Sequence, residues 1–84
     1  MDKLVRQLKE VQGKHKELSD DQARVRENLK ILSKESETYK RFLEKFEKQE
    51  TRLEELQSQI RQVQSTIEGR RKTYEEYLNT LTVP

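Results

Sequence analysis

The side chains of this sequence that could do chemistry are few and far apart. His15 is the single histidine among 84 residues, and its neighbours one helical turn away, Val11 and Leu18, are apolar. A catalytic or metal-binding imidazole needs an acid, a nucleophile or a second ligand at matching height. Cysteine and a glycine-rich phosphate loop are both absent from the sequence. We therefore expect no catalytic site, metal site, cofactor or small-molecule substrate, and interpret the chain as a non-enzyme.

A basic patch lies near the end of the sequence and consists of Arg70, Arg71 and Lys72. Tyr74 and Tyr77 follow it, and basic side chains beside aromatic rings are typical of single-stranded nucleic-acid binding. Glu75 and Glu76 come directly after the patch, and 18 basic against 16 acidic residues give a net charge of only +2. Such a weak charge does not favour a polyanionic partner. Nucleic-acid binding by this patch is therefore the alternative function.

The elements that must position these residues follow from the spacing of the apolar side chains. Hydrophobic residues make up 30% and charged residues 40% of the sequence, but the hydrophobic ones recur at alternating steps of three and four, as on the seam of a coiled coil. The first seam is Leu4, Leu8, Val11, His15, Leu18, Gln22, Val25, Leu29 and Leu32. The second seam is Tyr39, Phe42, Phe46, Gln49, Leu53, Leu56, Ile60, Val63, Ile67, Arg70, Tyr74, Tyr77 and Leu81.

The stretch between the two seams indicates a turn. Residues 33–38 contain no apolar side chain, and Ser36 followed by Glu37 is a good N-cap and first-turn pair. We predict a helix over 2–33, a turn over 34–36 and a helix over 37–82. Ser19 and Gln22 have capping-box spacing, so a local irregularity near Ser19 stays open. A four-residue stutter in one continuous helix would explain the same change of phase.

A hairpin that reverses at residues 35 and 36 pairs residues whose numbers add to 71. This register brings Gln22 and Gln49, the two glutamines of the seams, into one layer, where a matched pair of amides can fix the register. It also places Asp21 opposite Arg52 as a surface ion pair, and Met1 beside Arg70. The sequence therefore predicts an all-α fold, a two-helix antiparallel coiled-coil hairpin with the longer helix second.

In this register the second helix extends beyond the start of the first helix. Its last apolar residues are Tyr74, Tyr77, Leu78 and Leu81, which we predict to form an association surface, because adjacent apolar side chains left in water tend to mark an interface. The partner is either a second copy or the other domains of a parent protein. Val5 and Leu43 widen the stripe and favour pairing of two hairpins into a four-helix bundle.

Several short runs of the sequence carry a resemblance to a known family. They are Asp21 to Leu29 with Leu32, Tyr39 to Phe42, Lys48 to Glu50, and Tyr77 to Val83. Together they resemble the C-terminal helical segment of uncharacterised bacterial mucoidy-inhibitor-like proteins, a domain-of-unknown-function class. The likeness covers residues 18–83. It would make the following the polar positions typical of the family: Gln22, Arg26, Asn28, Gln49 and Glu50.

The resemblance implies a bacterial source, β-rich domains upstream and Pro84 near the native C-terminus. It implies no catalytic residues. No apolar run of the sequence approaches the roughly 18 residues of a membrane span, and the compartment stays open. The sequence as a whole favours one domain over residues 1–84, a fragment of a larger protein. Its expected function is non-catalytic, as a spacer, oligomerisation or docking element.

Overall fold

The structure, a computed structural model, describes residues 2–82 as two α-helices, α1 (Asp2–Ile31) and α2 (Glu37–Thr82). The helices pack antiparallel in a rod of 75 × 16 × 15 Å. The predicted all-α hairpin with the longer helix second is confirmed, and the single continuous helix is excluded because the chain reverses between α1 and α2. The expected position of Met1 beside Arg70 lies outside the described residues, as do Val83 and Pro84.

The connection begins earlier than the sequence indicates. We predicted that the first helix would reach residue 33, but α1 ends at Ile31. The carbonyl of Ser33 accepts hydrogen bonds from the backbone N–H of Ser36 at 3.0 Å and from its hydroxyl at 2.8 Å, so this segment is a turn. The Ser36 hydroxyl in turn accepts from the N–H of Tyr39 at 3.0 Å. Ser36 is therefore the N-cap of α2, and α1 continues without interruption through Ser19.

The core is a single row of side chains between the two helices. Leu56 is only 2% exposed and packs with Val11 and Ile60, against which Leu8 and Leu18 also lie. Val25 and Val63 are buried as well. Burying apolar area along this seam is the main favourable term for a hairpin this thin.

The last part of α2 has no intrachain cover within the described residues. Every residue from Glu68 to Leu81 is exposed, over a length of about 20 Å at 1.5 Å per residue. Tyr74 is 62% exposed, Tyr77 60%, Leu78 40% and Leu81 63%. We call these four residues the distal surface.

Candidate functional site

A polar layer interrupts the apolar seam near the middle of α1. Gln22 and Gln49 are 4% and 6% exposed. The Gln22 side-chain amide donates to Glu50 Oε1 at 2.5 Å, and the Gln49 amide donates to Asp21 Oδ2 at 2.6 Å. The residue numbers of these pairs add to 72 and 70, on either side of the expected 71. Each buried amide thus bonds a carboxylate of the opposite helix, whereas the sequence led us to expect that the two amides would bond each other.

Asp21 is the most connected side chain of the layer. Its carboxylate accepts from Arg24 in α1 and from Gln49, and it lies 3.5 Å from Lys45 Nζ. The hydrogen bond from Arg24 is the main cause that lowers the pKa of Asp21; partial burial opposes it, and Lys45 and Gln49 reinforce it. The fold therefore favours the charged carboxylate.

The expected pairing of Asp21 with Arg52 is wrong. Arg52 Nη1 instead bonds Glu55 Oε2 at 3.0 Å, one turn further along α2. The physical reason is local competition. An acceptor three residues away on the same helix is always within reach, and the carboxylate of Asp21 is already engaged by Lys45 and Gln49 from α2.

One acceptor of the layer lacks a partner. Gln49 Oε1 is buried without a hydrogen bond among the described residues. An unsatisfied buried acceptor costs about 1–3 kcal/mol. The layer therefore combines two hydrogen bonds between the helices with one unpaired oxygen, so its polar groups are not arranged for maximal stability.

Sequence reasoning missed a contact next to this layer. The guanidinium carbon of Arg26 lies 5.8 Å from the ring centroid of Phe46, a cation–π arrangement. The register could have revealed this contact, because the residue numbers of Arg26 and Phe46 add to 72, one away from the sum of 71 expected for facing residues.

The basic patch and the distal surface adjoin each other on α2. Arg70, Arg71 and Lys72 are all exposed, and Arg71 lies 3.8 Å from Glu68 in a side-chain ion pair. An open groove on this face is lined by Thr66, Gly69, Arg70, Thr73, Tyr74 and Tyr77. The predicted association surface and the predicted basic patch are therefore one continuous stretch of accessible helix.

His15 and the acidic residues form no candidate metal site within residues 2–82. His15 is half-buried in the seam between Val11 and Leu18, and no cluster of three or more His, Cys, Asp or Glu side chains in this range could hold a metal ion. No helix in the described part is long and apolar enough to cross a membrane.

Comparisons with known proteins give no assignment: no family model, no curated protein and no solved structure matches the chain.

Proposed function

We propose that this chain is a non-catalytic structural module of a larger bacterial protein, a stiff coiled-coil arm that acts as a spacer and carries an association or docking surface at its far end. The observation that carries the proposal is the extension of the α2 seam about 20 Å beyond α1 with its apolar side chains exposed. A bacterial parent with further domains is what the resemblance to mucoidy-inhibitor-like proteins implies.

The spacer role depends on stiffness, and two features support it. Two helices packed along one seam resist bending more than a lone helix does, and the polar layer opposes sliding of α1 along α2. The rod is 75 Å long and only about one-fifth as wide. An arm of this shape keeps its two ends apart without needing any chemistry of its own.

Distances between spin labels test the spacer directly, because the sequence contains no cysteine and labels go only where they are introduced. Labels at Ser33→Cys and Thr80→Cys should lie about 65 Å apart, at 1.5 Å per residue, with a narrow distribution. The control pair Gln12→Cys and Gln57→Cys should give a short distance across the hairpin. A broad or much shorter distribution for the long pair would refute the stiff arm.

The second candidate is a nucleic-acid-binding arm, favoured by three exposed basic side chains beside two exposed tyrosines. Single-stranded DNA or RNA would then bind in a strongly salt-dependent way. Changing Arg70, Arg71 and Lys72 to Glu should abolish that binding, whereas the charge-matched change of Lys34, Lys40 and Arg41 near the turn should retain it. Absence of binding at low salt, or equal loss in both variants, would eliminate this candidate.

A further inference from the structure

We propose that the distal surface binds the same surface of a second copy, antiparallel, so that two hairpins join tail to tail with facing seam residues whose numbers add to 151. The inference rests on the proposed function, since it names the partner of the association surface. It replaces the side-by-side four-helix bundle expected from Val5 and Leu43. Those two half-exposed residues lie at opposite ends of the hairpin, about 35 Å apart by the register, and form no common patch.

Continuity of the seam points to a helix as the occupant. α1 covers one stripe of α2 as far as Ile67, which is half-buried, and the same stripe continues beyond it as Tyr74, Tyr77 and Leu81. The α2 helix of a second copy, lying antiparallel, runs in the same direction as α1. It therefore prolongs the line of α1 and meets the stripe with the same knobs-into-holes geometry.

The heptad restricts the register of the two overhanging ends to sums of 144, 151 or 158. At 144, Leu81 of one copy would have to face Val63 of the other, which is already buried beneath α1. At 158, Tyr74 would face residue 84 and the overlap would shrink to a single turn. At 151, Tyr74 of each copy faces Tyr77 of the other, so symmetry produces two tyrosine layers at the centre. Leu81 of each copy then faces Arg70 of the other, just beyond the start of α1 at Asp2, and packs on the aliphatic stem of that arginine.

The residues on either side of the seam are also compatible with a dimer in the register with a sum of 151. On one side Thr73 faces Thr80 of the second copy. Their hydroxyls donate to the carbonyls of Gly69 at 2.9 Å and Glu76 at 3.0 Å on their own helix, which satisfies the hydroxyls within the helix. On the other side Arg71 faces Leu78 of the second copy, where its aliphatic stem covers the leucine. No like charges meet across the interface, whereas a sum of 144 would oppose Arg71 to itself.

The available area sets the strength of the dimer. Taking about 200 Å² per large apolar side chain, the exposed fractions of the four distal residues leave on the order of 450 Å² per copy. Two copies then bury on the order of 900 Å², below the roughly 1,200 Å² of stable interfaces and within the range of weak, transient ones. The dimer is therefore reversible and depends on protein concentration.

Cross-linking of single-cysteine variants tests the register. The geometry places Thr73 of one copy beside Thr80 of the other, and leaves Thr73 with Thr73, or Thr80 with Thr80, about 10 Å out of line along the axis. A mixture of Thr73→Cys and Thr80→Cys should therefore give a mixed dimer with a short bis-maleimide, while each variant alone should cross-link poorly. Preferential cross-linking of Thr73→Cys to itself would indicate the register with a sum of 144, and preferential cross-linking of Thr80→Cys to itself would indicate the register with a sum of 158. Efficient cross-linking of both variants to themselves would indicate a parallel pair of helices. Each of these results overturns the proposal.

Mass and shape provide the second measurement. The mass measured by light scattering should rise with protein concentration from the 10.2 kDa of one chain to twice that value. Small-angle scattering should show the two turns about 115 Å apart, against a total length of 75 Å for one hairpin. Tyr77→Ala should weaken dimerisation about tenfold or more, and the outward-facing control Glu76→Ala should leave it unchanged. Helical content, followed by circular dichroism, shows that both variants remain folded.

The outcomes separate this inference from the spacer function. A chain that stays monomeric at all concentrations, yet keeps the narrow 33-to-80 distance distribution, overturns the dimer and leaves the stiff arm intact. A compact dimer of unchanged length also overturns the tail-to-tail arrangement. Collapse of the spin-label distance itself would remove the proposed function and the inference together.

Discussion

Replacing Gln49 by leucine should stabilise the hairpin, although it deletes a buried hydrogen bond. The amide of Gln49 has one bond, to Asp21 Oδ2 at 2.6 Å, and its Oε1 is buried without a partner. Leucine has a similar volume and continues the apolar seam. Asp21 is not stranded by the change, because Arg24 and Lys45 still surround its carboxylate.

Three terms set the size of the effect. Loss of a hydrogen bond to a charged acceptor costs about 1.5–3 kcal/mol, and removal of the unsatisfied oxygen returns about 1–3 kcal/mol. Burying a leucine side chain contributes about 1.5–3 kcal/mol. The net expectation is a gain of about 1–2 kcal/mol in the free energy of unfolding. For Gln22→Leu the gain should be smaller, because no unsatisfied oxygen of Gln22 is relieved.

Urea denaturation followed by circular dichroism measures both variants and the double variant at one protein concentration, since association would otherwise shift the midpoint. The double variant should be the most stable and the least uniform in register. Uniformity is measured by the spin-label distance between residues 12 and 57, which should broaden. Destabilisation by more than about 1 kcal/mol in Gln49→Leu would mean that the amide–carboxylate bond outweighs both compensating terms, and would refute the reasoning.

Three further predictions concern charge, core and cap. Because the fold lowers the pKa of Asp21, its charge stabilises the hairpin fully above the ordinary value of about 3.9 and progressively less as the pH falls below it. Urea titrations should show Asp21→Asn less stable than wild type at pH 7, with the difference shrinking as the pH is lowered through the acid range. Leu56→Ala, at a site 2% exposed, should cost about 3 kcal/mol, whereas Ile31→Ala, at a site 83% exposed, should change stability by less than about 0.5 kcal/mol. Ser36→Ala removes the acceptor for the Tyr39 N–H and should lower the free energy of unfolding by about 1 kcal/mol in the same assay.

The hairpin was predictable because its determinants are local and repeated. The apolar period of 3.5 residues fixes which side of each helix is buried, and the N-cap at Ser36 depends on residues within one turn of it. The end of α1 was less predictable. Leu32 continues the apolar period, so the pattern alone extends the helix, but the carbonyl of Ser33 forms turn hydrogen bonds to Ser36 instead.

The layer shows where periodicity stops being informative. The seam positions of Gln22 and Gln49 predict burial, but the pattern does not select among the acceptors nearby. The sequence does contain a symmetric pattern that would have identified these acceptors: an acidic residue precedes Gln22, and another follows Gln49. In an antiparallel pair these two carboxylates lie diagonally across the seam from the amides, as the hydrogen bonds to Asp21 and Glu50 show. The spacing of residues also does not predict whether Arg52 pairs with Asp21 or with Glu55, because that choice depends on competition between the two carboxylates.

The layer also bears on whether the distal surface is available at all. If α1 slid by one heptad toward the end of α2, facing numbers would add to 78 and Leu4 would face Tyr74, so the hairpin would begin to cover its own association surface. The same slide would set Gln22 against Leu56 and Gln49 against Leu29, and both amides would lose their carboxylates. At about 1.5–3 kcal/mol for each such bond, the layer opposes a slide that apolar contacts alone would reward. In the double leucine variant that opposition disappears, which links loosened register to a distal surface that is partly masked.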